Sequence, residues 1–295
     1  MGDVLALAGA LAFAFGTVLQ QKGTLATKAR DKDPHFLVEI LHKPIWLVGL
    51  LCQISGWVLQ ALALARAPLM VVQSLTAVSL VIALPLGVWL THQHVRWREI
   101  TGALLTLVGV VVFLWAGQPQ GGTNHPSAAT WWVACLAILV LVAILAVVGW
   151  RLNGAQKAIM LGIAAGLGFG LQAAVTKTFV AEVSGGVLAI LADWSTYVLI
   201  LTALSGFVLQ QSSLKTGVLA PAMASSNAVT LFSSVVLGIT VYGEHFSKSG
   251  GVHPGAAVLG LIVAVAGVIL LAGASPPEST ETFAAPHVRG ASSTS

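Results

Sequence analysis

Eleven polar or charged side chains stand within or at the ends of long apolar runs. They are Gln20, Lys22, Gln73, Thr76, Ser79, Gln172, Lys177, Ser226, Asn227, Thr230 and Glu244. Hydroxyl and amide groups can replace part of the water around a polar solute or an ion without carrying charge themselves. Thr76 and Ser79 are three residues apart, as are Asn227 and Thr230, so each pair shares one helix face. Two readings stay open for these groups: they line a shared central cavity, or they hydrogen-bond across tight helix contacts. Lys22 abuts a basic loop and is expected to snorkel to the interface. Lys177 sits where lysine is rarer and could attract an anionic solute or gate a path. Glu244 is expected at a helix end, paired with backbone or a cation.

No Asp or Glu lies in the middle of an apolar run. Proton- and Na⁺-coupled carriers often place a carboxylate there, and Mg²⁺ favours carboxylate oxygens. Both chemistries are weakened, although amide and carbonyl oxygens could still hold a hydrated ion. No Ser–His–acid set, phosphate loop or metal-ligand motif is found, so no catalytic residue, metal site or cofactor is expected. Cys52 and Cys135 lie inside apolar runs and read as buried thiols, not a disulfide framework.

The elements that must position these groups follow from composition. Of 295 residues, 8% are charged and 57% hydrophobic, and the mean hydropathy is +0.91. A soluble domain carries about 25% charged residues, so soluble enzymes, nucleic-acid binders and disordered chains are excluded. Long unbroken apolar runs favour helices over a β-barrel. Nine segments emerge: Val4–Gln21, Pro44–Leu64, Leu69–Leu90, Ile100–Ala116, Ala128–Trp150, Ala158–Val180, Ser195–Ser213, Leu219–Tyr242 and Gly255–Ala274. Most tryptophans fall at segment ends, where indole prefers the interface. No cleavable signal peptide is read at the start. The segment 275–295 is rich in Pro, Ser, Thr and Ala and is expected to be a disordered polar tail.

Lys and Arg separate between the two sides. Lys22, Lys28, Arg30, Lys32, Lys43, Arg96, Arg98, Arg151, Lys157, Lys215 and Arg289 fall on one, and only Arg66, Lys177 and Lys248 on the other. The positive-inside rule makes the first side cytoplasmic. The expectation is a multi-pass protein of the plasma (inner) membrane, N-terminus outside and C-terminus inside.

The chain also repeats itself. Gly56-Trp-Val-Leu-Gln60 matches Gly206-Phe-Val-Leu-Gln210, and Ser74, Ala77, Val78 and Ser79 match Ser225, Ala228, Val229 and Thr230. Gly102 and Gly109 match Gly260 and Gly267, and Phe15-Gly16 is paired with Phe169-Gly170. The fold expected is an all-α polytopic membrane protein of nine transmembrane helices in a 4+1+4 inverted repeat. Residues 1–127 form the first unit, 128–154 the linking fifth helix and 155–274 the second unit. Gly162-x-x-x-Gly166, followed by Gly168 and Gly170, would let a neighbouring helix approach closely. The fifth helix has no repeat partner and is a candidate homodimer contact.

The run Ala67-Pro-Leu-Met-Val-Val-Gln-Ser-Leu-Thr-Ala-Val-Ser79 resembles a helix signature of the EamA-type drug/metabolite transporter superfamily. So does Leu219-Ala-Pro-Ala-Met-Ala-Ser-Ser-Asn227 with Gly243-Glu244; the first half carries His92-Gln93 where that Gly-Glu would stand. Leu19-Gln-Gln-Lys-Gly23 and Val175-Thr-Lys177 resemble the NIPA-type magnesium transporter branch. The resemblance implies a secondary transporter or facilitator for a small polar solute, working by alternating access. Its alternative is a carrier of Mg²⁺ or another divalent cation. A non-transporting membrane scaffold is the rival from another class, since fold alone does not fix function. Partners expected are the lipid bilayer and the solute or ion, with no nucleic acid.

Overall fold

The computed structural model describes residues 1–25, 42–91, 97–123, 126–182, 191–214, 216, 219–247 and 253–274. These form nine long helices: α1 (Gly2–Leu25), α2 (Pro44–Leu64), α3 (Leu69–Thr91), α4 (Trp97–Gly117), α5 (Ala128–Trp150), α6 (Gly154–Glu182), α7 (Trp194–Leu214), α8 (Leu219–Thr240) and α9 (Pro254–Ala274). Eight are long and apolar enough to cross a membrane. The remaining helix, α7, has 21 residues but ends in Gln210, Gln211, Ser212 and Ser213, which dilute its hydropathy. The expectation for residues 275–295 lies outside the described residues, as do Lys28, Arg30, Lys32, Arg96, Lys215, Lys248 and Arg289.

Several helices run a turn beyond the apolar runs, because helix continues through the interface wherever backbone bonds can be kept. By contrast, α8 stops at Thr240, before Tyr242: Gly243 adopts φ 66 and turns the chain into a strand. The structure adds a feature that hydropathy did not announce. Strand β1 (Pro119–Gly121) pairs antiparallel with β2 (Glu244–Phe246), with Gln120 opposite His245. This ladder ties the end of α4 to the end of α8. Phe246 on β2 packs edge-on against Phe113 of α4, ring centroids 6.1 Å apart.

The packing is two-fold. Among the described residues α1 packs on α2 and α3, as α6 packs on α7 and α8; α3 meets α4 as α8 meets α9. The two halves join through α3 against α8 and α4 against α9. Residue contacts carry the symmetry. Gly102 lies against Gly267 and Leu271, while Gly260 lies against Gly109 and Phe113. Exchanging Gly102 with Gly260 and Gly109 with Gly267 converts one set of contacts into the other. Moving up α4 means moving down α9, so the pair is antiparallel. Only a two-fold axis across the helix axes relates antiparallel mates, and the second half is therefore inverted. At these four glycines no Cβ could fit between the backbones, the close approach that packs helices where water supplies no driving force.

The register between α1 and α6 differs from the Phe15–Phe169 pairing. The ring that covers Gly56 of α2 is Phe13, and the ring that covers Gly206 of α7 is Phe169. Phe15 is exposed on the outer face. Under the Phe13–Phe169 register, the fully buried Ala6, Ala10 and Ala14 correspond to Gly162, Gly166 and Gly170. The glycine ridge of α6 meets α8 at Ser225, Ser226 and Ser233. Outside the repeat, α5 packs mainly along α6 and exposes most of its apolar surface.

Candidate functional site

Lys177 and Glu244 form a buried ion pair, Nζ to Oε1 2.6 Å, with side chains 4% and 0% exposed. Lys177 comes from the last two turns of α6, where burial against α8 and the α8–β2 turn leaves no route to snorkel. Glu244 is delivered by the left-handed Gly243 at the start of β2. Its carboxylate also accepts from two backbone N–H groups at the start of α3. Leu69 donates to Oε1 and Met70 donates to Oε2, the latter at 2.9 Å. A helix start leaves such donors without intrahelical partners and carries partial positive charge. One carboxylate of the second half therefore caps the first helical turn of α3 and neutralises α6. Gly238 makes room for it: a Cβ there would lie 2.6 Å from Oε2.

Tyr242 completes the network. Its ring lies under Lys177, 4.5 Å from Nζ to centroid. Its hydroxyl donates to the Ala174 carbonyl at 2.5 Å and lies 2.9 Å from Thr178 Oγ1. Trp131 of α5 stacks edge-on against Tyr242 and against Trp194 of α7, at 5.9 and 5.2 Å. The cation–π contact and the ion pair together offset the cost of burying the ammonium group.

Lys177 also lines a cavity of about 680 Å³. The cavity opens at the end of the bundle where α1 begins, between α1, the α2–α3 turn, α3, α4 and β1. Its polar lining includes Asp3, Arg66, Gln118 and Gln120; its apolar lining includes Leu7, Val71, Leu75 and Leu114. The volume suits a small organic solute. On α3 the lining residues Val71 and Leu75 are spaced by four, and Ser79 continues that face one turn deeper.

The other flagged residues take several places. Thr76 donates to Val72 O at 2.8 Å and receives Gln60 Nε2 at 3.5 Å. Thr230 Oγ1 donates to Ser226 O at 2.8 Å and lies 3.3 Å from Gly166 O of α6. Ser226 is buried and Ser79 half-buried. Gln73 Nε2 and Asn227 Nδ2 are buried without a hydrogen-bond partner among the described residues. Gln20 and Gln172 are half-buried on α1 and α6; the Gln172 carbonyl accepts from Thr176 at 2.8 Å. Lys22 is exposed in the last turn of α1, at the opposite end from the cavity. The structure thus joins Lys177 and Glu244 at one site and leaves Lys22 apart. Sequence reasoning passed over Tyr242, Arg66, Asp3, Gln118 and Gln120. Their one shared signal is position, each falling within a few residues of a helix end on the side poor in basic residues. Among the described residues no cluster of three His, Cys, Asp or Glu side chains could hold a metal ion.

The fold and its apolar helices define a multi-pass α-helical membrane protein. The chain belongs to the family of an uncharacterized protein of Corynebacterium glutamicum, with which it is 35% identical over 254 residues, 82% of this chain and 85% of that one. It is also 29% identical over 146 residues to the probable magnesium transporter NIPA7 of Arabidopsis thaliana, covering 49% of this chain and 44% of that protein. No family model matches the chain. No solved structure matches it.

Proposed function

We propose that the protein is a membrane transporter that moves a small polar solute by alternating exposure of its two inverted halves. The observation that carries this reading is a difference between two-fold mates. Val71 and Leu75 line the open cavity, with Leu7 42% exposed beside them. Their mates on α8, Ala222 and Ser226, are 0% and 3% exposed, packed beside the glycine ridge of α6. One arrangement of helices is open in the first half and closed in the second. Exchange of the two arrangements would carry a solute across. The similarity to NIPA7 and the resemblance to EamA-type transporters support a transporter. The sorting of Lys and Arg supports an outward-facing cavity.

A second reading, transport of Mg²⁺ or another divalent cation, has two supports. One is the similarity to NIPA7, a probable magnesium transporter. The other is two buried amide oxygens, Gln53 Oε1 on α2 and Gln210 Oε1 on α7, each without a hydrogen-bond partner among the described residues. Neutral hard oxygens of this kind can hold an ion that keeps most of its water. The test is flux into liposomes reconstituted with the purified full chain, run in parallel with labelled organic solutes and with Mg²⁺. Solute flux reduced by Asn227→Ala, in protein that still folds, supports the first reading. Mg²⁺ flux reduced by Gln53→Ala or Gln210→Ala supports the second. No flux of either class identifies a non-transporting scaffold.

A further inference from the structure

We infer that the end cavity binds a small amphipathic solute through a single anionic group, held by Lys177 and Arg66. The inference rests on the transporter reading for its purpose and on the cavity for its chemistry.

The Lys177–Glu244 pair is neutral overall, but it is oriented. Lys177 is part of the cavity lining and Glu244 is not; the carboxylate is held at the start of α3 by Leu69 and Met70. A solute entering the cavity therefore meets the positive end of a buried dipole. An ammonium group has three donors. Glu244 Oε1 takes one, and the Tyr242 ring faces another. The third has no partner among the described residues. Arg66 is the second cation of the lining. It is exposed, and among the described residues one of its five donors is engaged, with Nη1 donating to Leu62 O at 3.2 Å. Two cations in one lining, each with donors to spare among the described residues, match a carboxylate or phosphate group. The lysine side chain is 96% out of solvent and forms the buried part of the site, while Arg66, Asp3, Gln118 and Gln120 are exposed at its mouth.

The rest of the lining fixes the body of the solute. Gln118 and Gln120 offer amides to hydroxyl or carbonyl groups, and Leu7, Val71, Leu75 and Leu114 offer an apolar wall. Asp3 also lines the cavity and repels a second negative group. The lining selects one anionic group on a partly apolar, partly hydroxylated frame.

The test measures equilibrium binding and thermal stabilisation of the purified full chain in detergent. The probes are 3-hydroxybutyrate and glycerol 3-phosphate, with choline, Mg²⁺ and glycerol as cationic and neutral controls. Arg66→Gln, at an exposed position, keeps the fold. Lys177→Met with Glu244→Gln removes both buried charges and leaves neither orphaned. The expected result is that the anions bind, and that each variant weakens them at least tenfold. Three results would overturn the inference: binding of the controls alone, anion binding unchanged in both variants, or no binding of any probe. Flux separates this inference from the reading it rests on. Transport of a cation or neutral solute, unaffected by Arg66→Gln, sinks the anion site and spares the transporter. Anion binding lost in Arg66→Gln, with no flux of any solute, does the reverse.

Discussion

The Lys177–Glu244 pair is held from three sides, so its parts are unequal to lose. Lys177→Met leaves a carboxylate of 0% exposure without its counter-ion, held only by the backbone donors of α3, and breaking a buried pair from one side costs about 3–5 kcal/mol. Adding Glu244→Gln removes the orphaned charge and should restore most of that loss, read as the midpoint of thermal unfolding in detergent. The two single changes will therefore not add. Gly238→Ala should cost about 1–3 kcal/mol by the same measurement, since the new methyl group must displace Glu244 from the start of α3. Gly255→Ala, where nothing stands within 4 Å, should change little. The sequence marked Lys177 as rare and Glu244 as a helix-end pairing residue, but could not join them. They lie 67 residues apart, and their meeting depends on the turn at Gly243 and on α6 packing beside α8. Tyr242 was hidden for a similar reason: at the end of an apolar run a tyrosine reads as an interface anchor.

At the scale of elements, the spans were legible because hydrocarbon imposes a length on every helix that crosses it. The repeat was legible where glycines recur, since a glycine in a tight crossing cannot be exchanged for a larger residue. It was misplaced between α1 and α6, where Phe13 and Phe15 both sit in apolar sequence and only packing tells the inward ring from the outward one. The β1–β2 ladder could not be read from sequence. Pro119, Gln120 and Gly121 have little strand preference, and they pair because α4 and α8 end side by side. The α4–α9 crossing makes a sharp prediction. Gly109→Leu or Gly267→Leu should prevent the backbones from meeting and abolish monodisperse folded protein, scored by size-exclusion chromatography. Phe15→Leu, on the exposed face of α1, should elute as the wild type does.

At the scale of the molecule, the open cavity and its closed counterpart give an accessibility test. In a background with Cys52 and Cys135 replaced by Ala, Leu75→Cys should react with a membrane-impermeant thiol reagent added from the side of the N-terminus. Ser226→Cys should be protected from either side. A solute that drives the halves to exchange should protect the first and expose the second; the reverse starting pattern would place the opening at the other end. The α4–α9 crossing also bears on how the protein is made. The groove formed by Gly102 and Gly109 is translated early, yet its partner α9 emerges only after α5 to α8. Until then α4 waits in the bilayer with a vacant notch that lipid chains fill poorly. A chain halted before α9 leaves that notch open, so the last described helix closes a gap made five helices earlier.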